Sequence, residues 1–247
     1  MRIAFDMDGV LADLHAPFVK AAVRLFPELD AAAIGSADIG ASPPEDQDDA
    51  QTEDDGTSEA KTAMPALTRR QSDAVWRALA ATEDFWESLQ EIEAGAIARL
   101  AAVAEERRWE VLFITSRPSS AGRTVQRQSQ RWLEARGFPL PSVYVVHRSR
   151  GRIADALAID VVVDDRPENC LDVVLESKAG AILVWRGKAA SVPASANRLG
   201  IAVVPTVARV LEALVEADRS GDSVGMIDRL RRLLGLRPRS SSPLIRS

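Results

Sequence analysis

Six short runs of β-branched and apolar residues recur along the chain, at 2–5, 111–114, 143–146, 161–163, 181–185 and 202–204, each stopping at a polar or small residue. Runs this short and this apolar suit strands buried on both faces. Helical patterns lie between them: 121–136, closed by Gly137, 153–158, and 206–217, where Val207, Val210, Leu211 and Leu214 share a face. The alternation predicts an α/β fold, a Rossmann-like parallel sheet with right-handed crossovers and helices on both faces. In such sheets ligands bind at the carboxyl ends of the strands, where the strand order reverses. The residues just past each run are therefore the ones placed to do chemistry. Asp6 and Asp8 come after the first, Thr115 and Ser116 after the second, residues 147–150 after the third, and Asp164 and Asp165 after the fourth. A sheet needs polar residues at its strand ends, but it does not need carboxylates at two of them and hydroxyls at a third.

The stretch from 12 to 108 is far longer than a crossover requires, which predicts an inserted helical unit. Residues 17–29 and 68–89 read as its helices, with Phe18, Val19, Val23 and Phe26 in the first and Val75, Trp76, Leu79, Phe85, Trp86 and Leu89 in the second. Between them, 35–63 has almost no large apolar side chain and cannot offset its own ordering entropy, which predicts a mobile insert. Glu45, Asp46, Asp48, Asp49, Glu53, Asp54, Asp55 and Glu59 fall there; the net charge is −5 with these eight and +3 without them. The acidity belongs to that segment, most simply as a solvated low-complexity insert. Residues 219–247 carry Arg229, Arg231, Arg232, Arg237, Arg239 and Arg246, with Ile227, Leu230, Leu233 and Leu234 at helical spacing. This reads as a basic amphipathic helix and tail. Without interleaved aromatics it fits a helix docked on the domain better than a nucleic-acid contact. The expected layout is a catalytic core at 1–13 and 109–217, a helical cap at 14–108 containing the acidic 35–63, and a basic helix and tail at 218–247.

A hydrophobic fraction of 46% is ordinary for a globular chain. No eighteen consecutive residues are apolar and no apolar leader comes after Met1, so a cytoplasmic protein without a membrane partner is expected. Cys170 is the single cysteine and cannot form an intrachain disulfide. His15 and His147 lack a second His or Cys ligand at metal-binding spacing.

The sequence 6–11, Asp-Met-Asp-Gly-Val-Leu, sets two carboxylates two residues apart where the chain leaves a strand, and Gly9 permits a tight turn. Taken alone it is equally an Asp-rich turn. As chemistry, one carboxylate attacks while the other handles a proton: Asp6 would accept a phosphoryl group, and Asp8 would protonate the departing alkoxide and then deprotonate the hydrolytic water. Phosphoryl transfer also needs donors for phosphate oxygens, a cation and a divalent metal. Thr115 and Ser116 supply hydroxyls before an expected helix N-terminus. Asp164 and Asp165 with Asp6 make an oxygen-only donor set suited to Mg²⁺, and carboxylates so crowded require a cation physically.

In this order, Asp6-x-Asp8-Gly9-Val10, Thr115, a basic position and Asp164-Asp165 resemble the motifs of the haloacid dehalogenase-like phosphatase superfamily. Residues 6–13, 84–89, 115–118 and 159–167 resemble its cytosolic 5′-nucleotidase and 5′(3′)-deoxyribonucleotidase branch. The resemblance implies a helical cap after the first strand, Asp6 as nucleophile and metal ligand, and Asp8 as acid/base with its backbone carbonyl on the metal. It further implies Thr115 on the phosphate, Asp164 on Mg²⁺ and Asp165 supporting the metal. The lysine such motifs contain is absent; its register falls at Arg150, with Arg148 and Arg152 nearby. An arginine keeps the charge in a larger, forked, planar group able to clamp phosphate through two hydrogen bonds. Cap aromatics, Phe18 and Trp86 among them, could stack on a nucleobase, although their spacing equally suits cap packing.

The function expected is thus an Mg²⁺-dependent phosphomonoester hydrolase for a small phosphorylated partner, preferentially a (deoxy)nucleoside monophosphate. A phosphatase of the same fold for another small metabolite, and a weakened module that binds a phospho-ligand without turning it over, are the competing readings.

Overall fold

The computed structural model describes residues 1–35, 39 and 66–218. Its sheet has six parallel strands, β1 (Arg2–Asp6), β4 (Glu110–Thr115), β5 (Ser142–Val145), β6 (Val161–Asp164), β7 (Gly180–Val184) and β8 (Ala202–Val204). Each lies within a residue of a run read from the sequence. The strand order is β5-β4-β1-β6-β7-β8, so the chain extends to one side of β1 and then to the other, and the order reverses beside β1. The register aligns the ends that matter: Asp6 pairs with Ile114, Thr115 with Val145, and Asp164 with Leu183.

Alternation along the strands builds two cores. Ile3, Phe5, Phe113, Val143, Val161 and Val163 face one side; Ala4, Ile114, Val162 and Leu183 face the other. Helices α3 (Ala96–Arg107), α4 (Val125–Glu134) and α8 (Val207–Asp218) cover the first side, α5 (Arg150–Ala156) and α6 (Pro167–Glu176) the second. Each fully buried Leu, Val or Phe contributes about 1.5–3 kcal/mol relative to exposure. The short helix α7 (Ala194–Arg198) leads into β8.

Helix α1 (His15–Leu25) packs against α2 (Arg69–Ala80). Pro17 sits in the first turn of α1, where its missing N–H costs nothing. The expected single helix over 68–89 is two elements. It stops at Ala80 because Asp84 adopts a left-handed φ of 50°, and a 3₁₀ turn, Phe85–Ser88, comes next. The helical spacing persisted across the break because Trp86 lies seven residues from Leu79. Asp84 is held by Arg123, whose backbone N–H and guanidinium both donate to its carboxylate. A two-stranded antiparallel ribbon then pairs β2 (Ala12–Asp13) with β3 (Gln90–Glu91), returning the chain to the loop after β1. The helix expected at 121–136 begins at Val125, capped by Thr124, because Gly122 turns the chain at φ 90°. Most of the acidic segment, and residues 219–247, lie outside the described residues. Among the described residues no helix is long and apolar enough to cross a membrane.

Candidate active site

Asp6 ends β1 at the reversal of strand order and is 8% exposed. Beyond it the loop folds on itself, Gly9 N–H donating to Ala12 O at 3.0 Å and Leu11 N–H to Met7 O at 2.8 Å. Gly9 has φ +82°, and a Cβ there would lie 2.0 Å from Asp165 Oδ2, so only glycine lets the β1 and β6 loops meet. Arg186 braces this loop from outside, donating to the carbonyls of Gly9 and Val10 and pairing with Glu93 at 2.7 Å.

Of the three arginines near the expected basic position, Arg150 is the one turned inward. It is 4% exposed, and its Nη2 donates to Asp6 Oδ1 at 2.8 Å. Its Nε, 3.6 Å from Asp164 Oδ2, has no hydrogen-bond partner and is buried. Arg152 pairs with Glu176 at the surface, and Arg148 and His147 are exposed. Gly151 keeps α5 close to α6, since a Cβ there would lie 2.2 Å from Asp172 O.

Asp164 is fully buried; Asn169 Nδ2 donates to both its oxygens at 3.0 Å, and Arg166 N–H donates at 2.9 Å. Burial pushes the Asp6 carboxyl well above the usual carboxylate range; Asp164, Asp165 and Asp8 push the same way and Arg150 opposes them. Asp164 is raised, by burial first, against Arg150 and its hydrogen-bond donors. Asp165, half-buried, is pushed up to about 7, by burial first and by the Asp164 carboxylate second.

Asp8 points elsewhere. Arg117 donates to it through Nε at 2.8 Å and Nη2 at 2.7 Å, and Thr115 Oγ1 lies 3.5 Å away. Arg117 Nη1 donates to Ser129 Oγ at 2.9 Å, and its guanidinium stacks on Trp86 at 4.8 Å and Trp132 at 5.8 Å. Sequence reasoning gave Arg117 and Asn169 no part. No local signal marked Arg117, because the β1–β4 pairing that brings Asp8 to it is a matter of strand order.

Other expected site residues are placed differently. Thr115 is buried beside Asp8 and Ser116 is half-buried, but no helix starts after them: α4 begins at Val125, ten residues on. Trp86 is 1% exposed, with its Nε1 donating to Pro118 O at 3.1 Å, and Phe18 is 0% exposed, packed edge-on against Trp76. Both are packing residues in this conformation, without an open face for a base. Cys170 is buried in the second core, which pushes its thiol up and leaves it unreactive.

The expected ligand quartet of Asp6, Asp8, Asp164 and Asp165 is not gathered on one point. Among the described residues no three His, Cys, Asp or Glu side chains are disposed as a metal-ligand set. The reason is visible: Asp8 is drawn to Arg117 and Asp164 to Asn169. The donor chemistry nevertheless fits a hard divalent cation, since Asp6, Asp164 and Asp165 offer only oxygens and the Asp164 carboxylate raises the proton affinity of both others.

No protein-family model and no curated protein sequence matches the chain. Among solved structures, it is similar to a HAD family hydrolase from Deinococcus radiodurans R1, determined with bound phosphate and sodium. That likeness has 17% identity and a TM-score of 0.50, and covers 88% of this chain and 96% of that one. It is also similar to a protein assigned as a beta-phosphoglucomutase from Thermotoga maritima, with 15% identity and a TM-score of 0.51, covering 87% and 99%. At these identities the likeness establishes the fold.

Proposed function

We propose that this chain is a phosphomonoester hydrolase of the haloacid dehalogenase-like kind, working through an aspartyl-phosphate on Asp6, with (deoxy)nucleoside monophosphates as its preferred substrates. The observation that carries the reading is Arg150. Its guanidinium is buried against the carboxylate at the strand-order reversal, and its Nε lacks an acceptor. A buried donor left unpaired costs about 1–3 kcal/mol, and a phosphate oxygen beside Asp6 would remove that cost.

An Asp6 oxygen attacks phosphorus, the bond to the ester oxygen breaks, and that oxygen keeps the electron pair and takes a proton from Asp8. Water then attacks the phosphorus of the acyl phosphate and gives a proton to Asp8, releasing phosphate and the Asp6 carboxylate. Arg150 and the hydroxyls of Thr115 and Ser116 hold the phosphoryl oxygens. Asp6, Asp164 and Asp165 would hold Mg²⁺, with the Asp8 carbonyl if the motif resemblance extends that far. Bound there, the ion would offset carboxylate repulsion and the charge of the phosphate. Nucleotides are favoured over sugar phosphates by the resemblance of 6–13, 84–89, 115–118 and 159–167.

Phosphate release from a panel of nucleoside monophosphates and sugar phosphates, with Mg²⁺ or chelator, tests this. The reading expects turnover that requires Mg²⁺, is absent in Asp6→Asn, and is fastest on nucleotides. A sugar phosphate ranking first would correct the substrate class. No release above the Asp6→Asn background on any substrate would overturn the hydrolase reading in favour of a phospho-ligand binding module.

A further inference from the structure

Resting on that reading, we infer that Arg117 is a positioning residue for Asp8: its caged guanidinium fixes the plane of the acid/base carboxylate. The geometry leaves Arg117 little else to do. Its side chain is 0% exposed, and each of its three nitrogens donates, two to Asp8 and one to Ser129. A planar fork presenting two parallel N–H groups sets both the position and the rotation of a carboxylate, which a point charge does not.

The cage is itself anchored. Trp86 is held by Nε1–H donation to Pro118 O and by backbone N–H donation to Gln128 Oε1 at 3.0 Å. Trp132 is held by Nε1–H donation to Leu89 O at 2.7 Å. The residues at 85–89, which reach the core through the β2–β3 ribbon, therefore act on Asp8 through Arg117 without touching substrate.

The bidentate clamp has a chemical consequence. Both Asp8 oxygens accept from Arg117, so the rotation of the carboxylate is set before either proton step. From that orientation Asp8 gives its proton to the departing oxygen as the ester bond breaks, and the hydrolytic water later returns one. Ser129 and the two indoles hold Arg117 in place meanwhile. Without the fork Asp8 is free to rotate away from the leaving group, which should penalise esters whose leaving group needs a proton more than those whose leaving group does not. An alkoxide needs one and a nitrophenolate does not.

Steady-state kinetics of Arg117→Lys, Arg117→Met and Ser129→Ala on adenosine 5′-monophosphate and on 4-nitrophenyl phosphate test the assignment. The expected result is a kcat on the nucleotide reduced about 100-fold more than on the nitrophenyl ester in both Arg117 variants, with KM little changed. Ser129→Ala, which leaves Asp8 and Arg117 in place, should show the same bias at a smaller scale, so the inference remains testable should an Arg117 variant fail to fold. In an Asp8→Asn background, Arg117→Met should add no bias. Equal losses on both esters, or the same bias without Asp8, would overturn the assignment while the hydrolase reading stands. No turnover of either ester by the wild type would overturn both.

Discussion

Arg150 and Arg117 each bring a buried guanidinium to a carboxylate of the 6–8 loop, but they are furnished differently. Arg117 is saturated, with its donors on Asp8 and Ser129 and its faces against Trp86 and Trp132. Arg150 is not: it holds Asp6 through one nitrogen, while its Nε faces Asp164 at 3.6 Å without a hydrogen bond. A buried donor is costly unless bonded, so the saturated site is structural in its own right, whereas on the proposed reading the unsaturated one takes the phosphate. The difference separates the two carboxylates, one kept among repelling acids at the reversal of the sheet and the other fixed at its flank.

The strongest way to break this contrast is to remove each arginine. Arg150→Ala should lower kcat/KM for phosphate release about 10²–10³-fold, as expected for losing one donor to a developing oxyanion. Arg150→Lys should restore part of it through charge alone. Arg117→Ala should register in folding as well as in turnover. Emptying a stacked, bidentate pair costs about 3–5 kcal/mol, read as a lower urea midpoint. Equal activity and equal stability for the two alanine variants would dissolve the distinction.

A smaller effect sharpens the Asp6 side. Gly9→Ala demands a left-handed alanine and drives a methyl into Asp165, so it should destabilise by about 1–3 kcal/mol and weaken Mg²⁺ dependence together. If stability falls while the metal response is unchanged, Asp165 does not support the ion.

The smallest effect is on pH. Asp165 titrates near 7 in the fold against about 4 unfolded, and Asp6 and Asp164 are raised in the same direction. The folded state thus binds these protons more tightly. Their contribution to stability is present below about pH 4 and is lost as pH rises through about 7. In chelator, Tm should fall between pH 5 and 8, and Mg²⁺ should flatten the curve. A Tm that rises over that interval in chelator would contradict the burial and repulsion assigned to this cluster.

What was legible in the sequence was what strands impose locally. Buried parallel strands must be short and apolar, so all six appeared, and with them the row Asp6, Thr115 and Asp164. The single inward arginine came from register, because Arg150 heads a helix whose neighbours Arg148 and Arg152 point out. What was not legible depended on tertiary detail. The break at Asp84 is fixed by Arg123 and Gly122, some forty residues away, and helical spacing alone ran through it. Trp86 read as a cap aromatic because its donation to Pro118 O is invisible in a local pattern. Arg117 was overlooked because strand order brings Asp8 to it from 109 residues away; Asn169 lies only five residues past Asp164, but nothing in the local pattern turns its amide back onto that carboxylate.

The claim on which the rest depends is that Asp6 becomes phosphorylated. Asp8→Asn keeps the nucleophile but removes the base for the second step, so with 4-nitrophenyl phosphate the intermediate should accumulate. Acid quenching and then peptide mass mapping should find one phosphoryl group on the peptide containing Asp6. Wild-type turnover without any phosphoryl group on that peptide, in either protein, would contradict the account and point to direct attack by water.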